Sequence, residues 1–286
     1  MMEMIKLMRP KQWIKNLFVF AALIFSMKFL STFHMGQAIL CFVLFCMISS
    51  SIYILNDIVD VEKDRLHPKK KNRPLAKGTV SIKAAVGVSI ILMISSVLAG
   101  FLFNPLVGTV ITLYLINNLI YSFKIKHIVI MDIISIAIGF ILRVVAGAFA
   151  IDVGISAWIL VCTFFISLFL GIGKRRGEIL ALEHNAHDHR ANLKDYTEEF
   201  VNQITSIVVA CTIMSYSLYT FTAYEHMYMM LTIPFVVYGI FRYLNLIYTQ
   251  DEGGSPTELV LTDKLIIIDV VLWGIVSSTI LYLTNI

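Results

Sequence analysis

The sequence predicts an all-α integral membrane protein, with nine transmembrane helices in two four-helix units around a central cavity open to the cytoplasm. Three observations carry that prediction. The mean hydropathy of the 286 residues is +0.81, with 58% hydrophobic and 15% charged residues, and a soluble domain of that composition would leave too much apolar surface in water. Apolar stretches long enough to cross ~30 Å of hydrocarbon, about 20 residues each, follow one another along the chain. The basic residues collect on one side of them.

Taken in order, the predicted spans are Gln12 to Leu30, Gly36 to Asn56, Ile82 to Leu102, Leu106 to Tyr121, Ile128 to Ile151, Ala157 to Gly173, Val201 to Thr222, Tyr228 to Tyr248 and Lys264 to Tyr282. Lipid offers the backbone no hydrogen-bond partner, so each must be helical or belong to a closed barrel; continuous apolarity without alternation indicates helix. The first span has basic flanks, but it is too long for a signal h-region and lacks a small-residue cleavage site, so it stays as an anchor. Trp13, Lys11 and Lys15 suit the membrane interface.

With the N-terminus cytoplasmic, the inner segments hold Lys6 to Lys15, the 63 to 83 cluster, Lys124, Lys126, Lys174 to Lys194, Arg242 and Lys264. Of 23 Lys and Arg, only Lys28 then lies outside and Arg143 within a span, as the positive-inside rule requires. The outer connections are short and the inner ones after the second, sixth and eighth spans are long. Polar stretches recur four spans apart, a weak internal repeat of two parallel four-helix units. The chain reads as a single membrane domain over 1–286, in the cell (inner or plasma) membrane. Cys41, Cys46, Cys162 and Cys211 all fall inside spans and suggest neither a disulfide framework nor zinc. The net charge of +4 needs no nucleic acid, because topology and anionic lipid already account for it.

The stretch ILNDIVDVEKDRLHPKKKNRPLAKGTVS, from Ile54 to Ser81, carries the chemistry. On a continuing helix Asp57, Asp60 and Asp64 lie within about 60° of one another around the axis. Three carboxylates on one stripe repel unless a cation sits between them, and hard oxygen ligands suit Mg²⁺, which keeps substrate phosphates as further ligands. Asn56 adds a neutral oxygen. Arg73, Lys77 or Lys69 would neutralise the outer oxygens of a diphosphate, Arg as a bidentate fork. The plainer reading, a solvated helix end beside a positive-inside loop, is weakened by the adjacency of Asp57 to the apolar face.

NDIVDVEKD followed by NRPLAKGTVS resembles the first aspartate-rich motif of the UbiA superfamily of intramembrane prenyltransferases, and the resemblance covers essentially the whole chain. MRPKQWIKNLFVFA, YSFKIKHIVIMD, GFILRVVAGA and GIGKRRGEILAL are similar to the decaprenyl-phosphate phosphoribosyltransferase group within it. That resemblance implies joining a polyprenyl phosphate to 5-phosphoribosyl 1-diphosphate with release of diphosphate; the alternative is prenyl transfer from a prenyl diphosphate to an aromatic or other small acceptor. Where aromatic prenyltransferases carry a second acidic motif, this chain has Lys174, Arg175, Arg176 and Glu178. Bases in place of acids remove a metal site and create an anion site.

Asp57, Asp60 and Asp64 are therefore the expected metal ligands, with Asp132 as a further metal ligand or ribose acceptor. Asn56, Arg73, Lys77, Tyr121, Lys124, Lys174, Arg175, Glu178 and Lys15 are the expected substrate contacts. Arg143, deep in the fifth span, needs an interior partner, and Asn117 and Asn118 would reach the ribose or bond between helices. Glu258 and Asp263, before the last span, would close the cavity. His184, His187 and His189 read as a solvated loop, since zinc would need four convergent ligands. A homo-oligomer is compatible with the sequence.

Overall fold

A computed structural model describes residues 2–66, 70–184, 196–223, 226–249 and 256–284. Among them there is no β-strand. The helices are α1 (Met2–Leu7), α2 (Ala21–Phe25), α3 (Thr32–Val59), α4 (Val61–Leu66), α5 (Ile82–Phe103), α6 (Pro105–Phe123), α7 (Met131–Ala150), α8 (Ala157–His184), α9 (Glu198–Thr222), α10 (Ile233–Thr249), α11 (Pro256–Thr262) and α12 (Lys264–Thr284). A 3₁₀ helix over Pro10–Phe20 precedes α2, and another over Met227–Thr232 runs into α10. Eight of the described helices are long and apolar enough to cross a membrane, from Thr32–Val59 to Lys264–Thr284. The protein is a multi-pass membrane protein.

Local chemistry sets the starts of these helices. Ser31 and Ser81 accept the amides of His34 and Ala84 at 3.4 and 3.3 Å, and Asn104 accepts that of Leu106 at 2.8 Å, with Pro105 in the first helical position, satisfying N–H groups that an uncapped helix leaves orphaned. Two elements depart from the sequence prediction. Gln12 to Leu30 is not one α-helix: Arg9 in the left-handed region (φ 55°) and Pro10 start a 3₁₀ helix, and Met27 (φ 59°) ends α2. Eleven residues of 3₁₀ helix is unusual, since such runs seldom exceed 3–4 residues. The sixth predicted span, in contrast, continues through Lys174–Glu178 to His184, because KRRGEILALEH has strong helix formers and no proline.

The chain forms two compact units, and the division falls within α7, after Ile141. In the first unit α3 packs against α5 and α6. Ser51 and Ser89 exchange hydrogen bonds between α3 and α5 at 2.9 and 3.0 Å, and a Cβ on Gly147 of α7 would lie 1.9 Å from the Val19 carbonyl oxygen. That close approach admits only glycine. Leu7, Ile54, Val61, Leu75, Val80 and Ala85 form a buried cluster at the polar end of this unit. In the second unit α8 packs on α9 and α10 on α12, around a core that includes Ile133, Phe169, Tyr196, Val201 and Tyr243.

Candidate active site

Each unit carries one cluster of charges. In the first, the last turn of α3 delivers Asp57 and α4 delivers Asp64, both buried at 2% and 4% exposure. Asp60 caps α3 between them with φ −95° and ψ 7°, and its carbonyl still accepts the Asp64 amide at 2.8 Å. The helical path thus bends at Asp60 without losing its backbone bonds. Two buried carboxylates this close would repel, and Arg73 lies between them: its Nη1 donates to Asp57 Oδ1 at 3.0 Å and to Asp64 Oδ2 at 2.6 Å. Arg9 Nη2 donates to the same Asp57 oxygen.

Packing explains how the two arginines reach these acids. Leu75 and Val80 are buried beside Leu7 and Ile54, which pins the loop that carries Arg73 against the end of α3. Gly78 turns that loop with φ +76°, a conformation costly for any residue with a Cβ. Arg9 is held by its strained backbone, by the Ser50 hydroxyl bonding the preceding carbonyl of Met8 at 3.0 Å, and by stacking over Tyr53 at 5.3 Å. The sequence reading assigned Arg9 no role at the acids; only the MRP segment hinted at it, and positive-inside topology had already accounted for the charge.

Around this cluster, Asn56 Oδ1 accepts the Ser122 hydroxyl at 2.6 Å. Lys77 and Lys124 are exposed, and Tyr121 and Lys15 are half-buried. Lys15 lies within electrostatic reach of Arg143 and Arg9. Arg143 is buried, and its Nε and Nη2 donate to Asn16 Oδ1 and the Tyr114 hydroxyl at 2.8 and 2.7 Å, the interior partners that its depth demanded. Asn118 bonds back to the Tyr114 carbonyl of its own helix at 2.8 Å. Lys69, His187 and His189 lie outside the described residues.

Among the described residues no three His, Cys, Asp or Glu side chains converge as a ready-made metal site. The donor chemistry nevertheless fits a hard divalent cation, because oxygens of Asp57 and Asp64 already converge on one cationic nitrogen, and carboxylate oxygen is the ligand that Mg²⁺ prefers.

The second unit holds the other cluster. Asp132, in the first turn of α7, is completely buried. Its Oδ2 accepts Arg175 Nε at 2.7 Å; its Oδ1 accepts the Tyr196 hydroxyl at 2.7 Å and the Ile133 amide at 2.9 Å. Arg175 Nη1 also donates to Glu178, and Lys174 stands 3.9 Å from the other Glu178 oxygen. Burial and the bond to the Asp132 carboxylate raise the pKa of the Tyr196 phenol, so it stays a donor across the physiological range. Arg176 is buried elsewhere, donating to the Ile247 carbonyl and stacking over Tyr248 at 4.1 Å.

The KRR run is therefore split. Lys174 and Glu178 keep 40% and 27% of their side-chain surface in the open, whereas Arg175 keeps 1%. Glu258 is exposed, and Asp263 holds Arg242 at 2.8 Å while capping α12.

The protein is a multi-pass helical membrane protein with buried acids and arginines clustered at its helix ends, and comparison with known proteins makes the class specific: the chain is a membrane-embedded transferase. It belongs to the UbiA prenyltransferase family, whose model matches residues 17–258. It is 35% identical over 285 residues to the decaprenyl-phosphate phosphoribosyltransferase of Corynebacterium glutamicum, covering 94% of this chain and 84% of that protein. With the enzyme of the same name from Mycolicibacterium smegmatis it shares 32% identity over 298 residues, covering 98% and 92%. In fold it is similar to a UbiA homolog from Archaeoglobus fulgidus bound to DMAPP and Mg²⁺, with a TM-score of 0.73, 20% identity and coverage of 96% and 97%.

Proposed function

We propose that the protein transfers the 5-phosphoribosyl group from 5-phosphoribosyl 1-diphosphate to a polyprenyl phosphate, releasing diphosphate, in a Mg²⁺-dependent reaction at the cytoplasmic face of the cell membrane. The observation that carries this reading is the pair of half-hydrated arginines, Arg9 and Arg73, held on two buried acids. Similarity to decaprenyl-phosphate phosphoribosyltransferases over nearly the full chain supports the choice of substrates. So does Lys174, the accessible base of the KRR run, since both substrates bring phosphates beyond the one that leaves.

Asp57, Asp64 and Asp60 would hold Mg²⁺, which would neutralise charge growing on the departing diphosphate. Arg9 and Arg73 exchange a carboxylate oxygen for a diphosphate oxygen, a trade between two oxyanions of similar geometry. Lys77, Lys124, Lys15 and Tyr121 would be further donors, with Asn56 held by Ser122. Lys174 and Glu178 are the accessible members of the second cluster and would meet a substrate's polar groups, while Asp132 and Arg175 hold them in place. The attacking lipid phosphate is already anionic, so no side chain need act as general base.

The segment from Pro10 to Phe25 provides the ninth crossing. Its 3₁₀ and α portions together reach about 30 Å at their respective rises of about 2.0 and 1.5 Å per residue, which matches the hydrocarbon thickness. The N-terminus is cytoplasmic and 1–286 works as one domain.

Purified protein supplied with the ribosyl donor, a polyprenyl phosphate and Mg²⁺ should release diphosphate, and chelation should stop it. Turnover with a prenyl diphosphate and an aromatic acceptor, and none with the ribosyl donor, would replace this reading with prenyl transfer.

A further inference from the structure

The second cluster contains one group whose position the proposed reaction does not require by itself. Tyr196 precedes Thr197, the N-cap of α9, whose hydroxyl accepts the Phe200 amide at 3.1 Å. Its ring is buried at 2% exposure in the same core as Val201, one turn into the helix. That placement is a hydrophobic staple, which fixes the angle at which a chain enters a helix. The hydroxyl points away from α9 and makes two bonds to the start of α7: it accepts the Ile130 amide and donates to Asp132 Oδ1, each at 2.7 Å.

The residue it grips is under strain. Ile130 has φ +68°, and a β-branched residue in the left-handed region is a genuine outlier that the surroundings must enforce. Tyr196 supplies part of that enforcement by taking the Ile130 amide. The same turn decides where Asp132 stands, Asp132 orients Arg175 at 2.7 Å, and Arg175 holds Glu178. Asp132 and Arg175 have side-chain exposures of 0% and 1% and cannot meet a ligand from solvent, whereas Glu178 and Lys174 can.

We infer that Tyr196 is a positioning residue: its hydroxyl locks the Ile130 turn and Asp132, so that Arg175 presents Glu178, with Lys174 beside it, at a fixed angle for a phosphate-bearing substrate. This rests on the proposed reaction for the identity of the ligand, but not for the relay.

Tyr196→Phe keeps the ring and the staple and deletes the hydroxyl. In wild type, Tyr196→Phe, Asp132→Asn and the double variant, kcat and KM for 5-phosphoribosyl 1-diphosphate are measured with polyprenyl phosphate and Mg²⁺. Hydrogen exchange of the 130–133 amides is followed on the same full-length preparations. Tyr196→Phe should fold with a near-native thermal transition, lose about tenfold in kcat/KM and exchange 130–133 faster. The double variant should be little worse than Asp132→Asn alone, because both changes cut one relay. Unchanged kinetics in Tyr196→Phe, or losses that multiply fully, would overturn the inference while leaving the proposed reaction standing. If wild type turns over with neither this donor nor a prenyl diphosphate, the reaction is wrong; the relay is then judged by exchange alone, and unaltered protection at 130–133 would sink it.

Discussion

Arg73 and Arg175 do the same job in different surroundings. Each guanidinium joins two carboxylates, Asp57 with Asp64 in the first unit and Asp132 with Glu178 in the second. The Arg73 side chain keeps 29% of its surface exposed and Arg175 only 1%. A partly hydrated guanidinium can trade a carboxylate for a phosphate with little change in solvation. A sealed one cannot, because a phosphate arriving from solvent does not reach a side chain with 1% exposure. Similar pairings thus differ in what they can do: in the proposed reaction one is open to a ligand and the other holds its neighbours in place.

The largest expected effect breaks the comparison on the binding side. Asp57→Asn removes the acid that both Arg9 and Arg73 hold, and diphosphate release should fall by about 10³-fold, the order seen when a main electrostatic stabiliser is lost. Stability should change far less, since the freed arginines are accessible to water. A variant retaining more than a tenth of wild-type turnover would remove Asp57 from the site.

Stability tests the other side. Arg175→Ala strands fully buried Asp132 and should cost about 3–5 kcal/mol, read as a lowered unfolding temperature in detergent. Arg73→Ala removes the arginine between two buried acids, should cost a similar amount, and should in addition raise KM for the donor steeply. A donor KM unmoved by Arg73→Ala would mean that the exposure of Arg73 does not mark it for binding.

Much of this was legible in the chain. Eight of nine predicted spans have a matching long helix because apolar length is a local property. The first did not read correctly, as Arg9, Pro10 and Met27 impose backbone angles that hydropathy does not register. Asp57, Asp64 and Arg73 were recognisable from spacing and charge. The fate of the KRR run was not, although consecutive helical residues diverge by about 100°, so three bases in a row could never share one ligand. Arg9 and Tyr196 meet their acids 48 and 64 residues away in sequence. Tyr196 carries no periodic or motif signal, and Arg9 only its place in the MRP segment.

A smaller effect concerns what holds the accessible arginine in place. Leu75 is 2% exposed in the cluster beneath the Arg73 loop. Leu75→Ala should cost about 2–3 kcal/mol, the lower end for a buried leucine because a loop can partly collapse into the space. Donor KM should rise while kcat with saturating donor stays near wild type, since the acids remain and only the delivery of Arg73 loosens. A fall in kcat with KM unmoved would assign the loop to the chemical step instead.

The smallest effect calibrates the scale on a pair whose two ends are both partly exposed. Arg242 and Asp263 keep 26% and 13% of their side-chain surface, bonded at 2.8 Å. The bond from Arg242 holds the Asp263 carboxyl below its ordinary pKa. A depressed carboxyl stabilises the fold fully above its unfolded value, near 3.9, and the contribution fades as pH falls through the lower folded value. Asp263→Asn keeps an N-cap for α12, since Asn serves there as well as Asp, and so removes the charge alone. At pH 7 it should lower stability by no more than a few tenths of a kcal/mol, and the difference from wild type should vanish once pH falls below the depressed folded value of Asp263. A loss at pH 7 as large as that of Arg175→Ala would show that burial of the acid, 0% for Asp132 against 13% for Asp263, is not what sets the cost of breaking an ion pair in this protein.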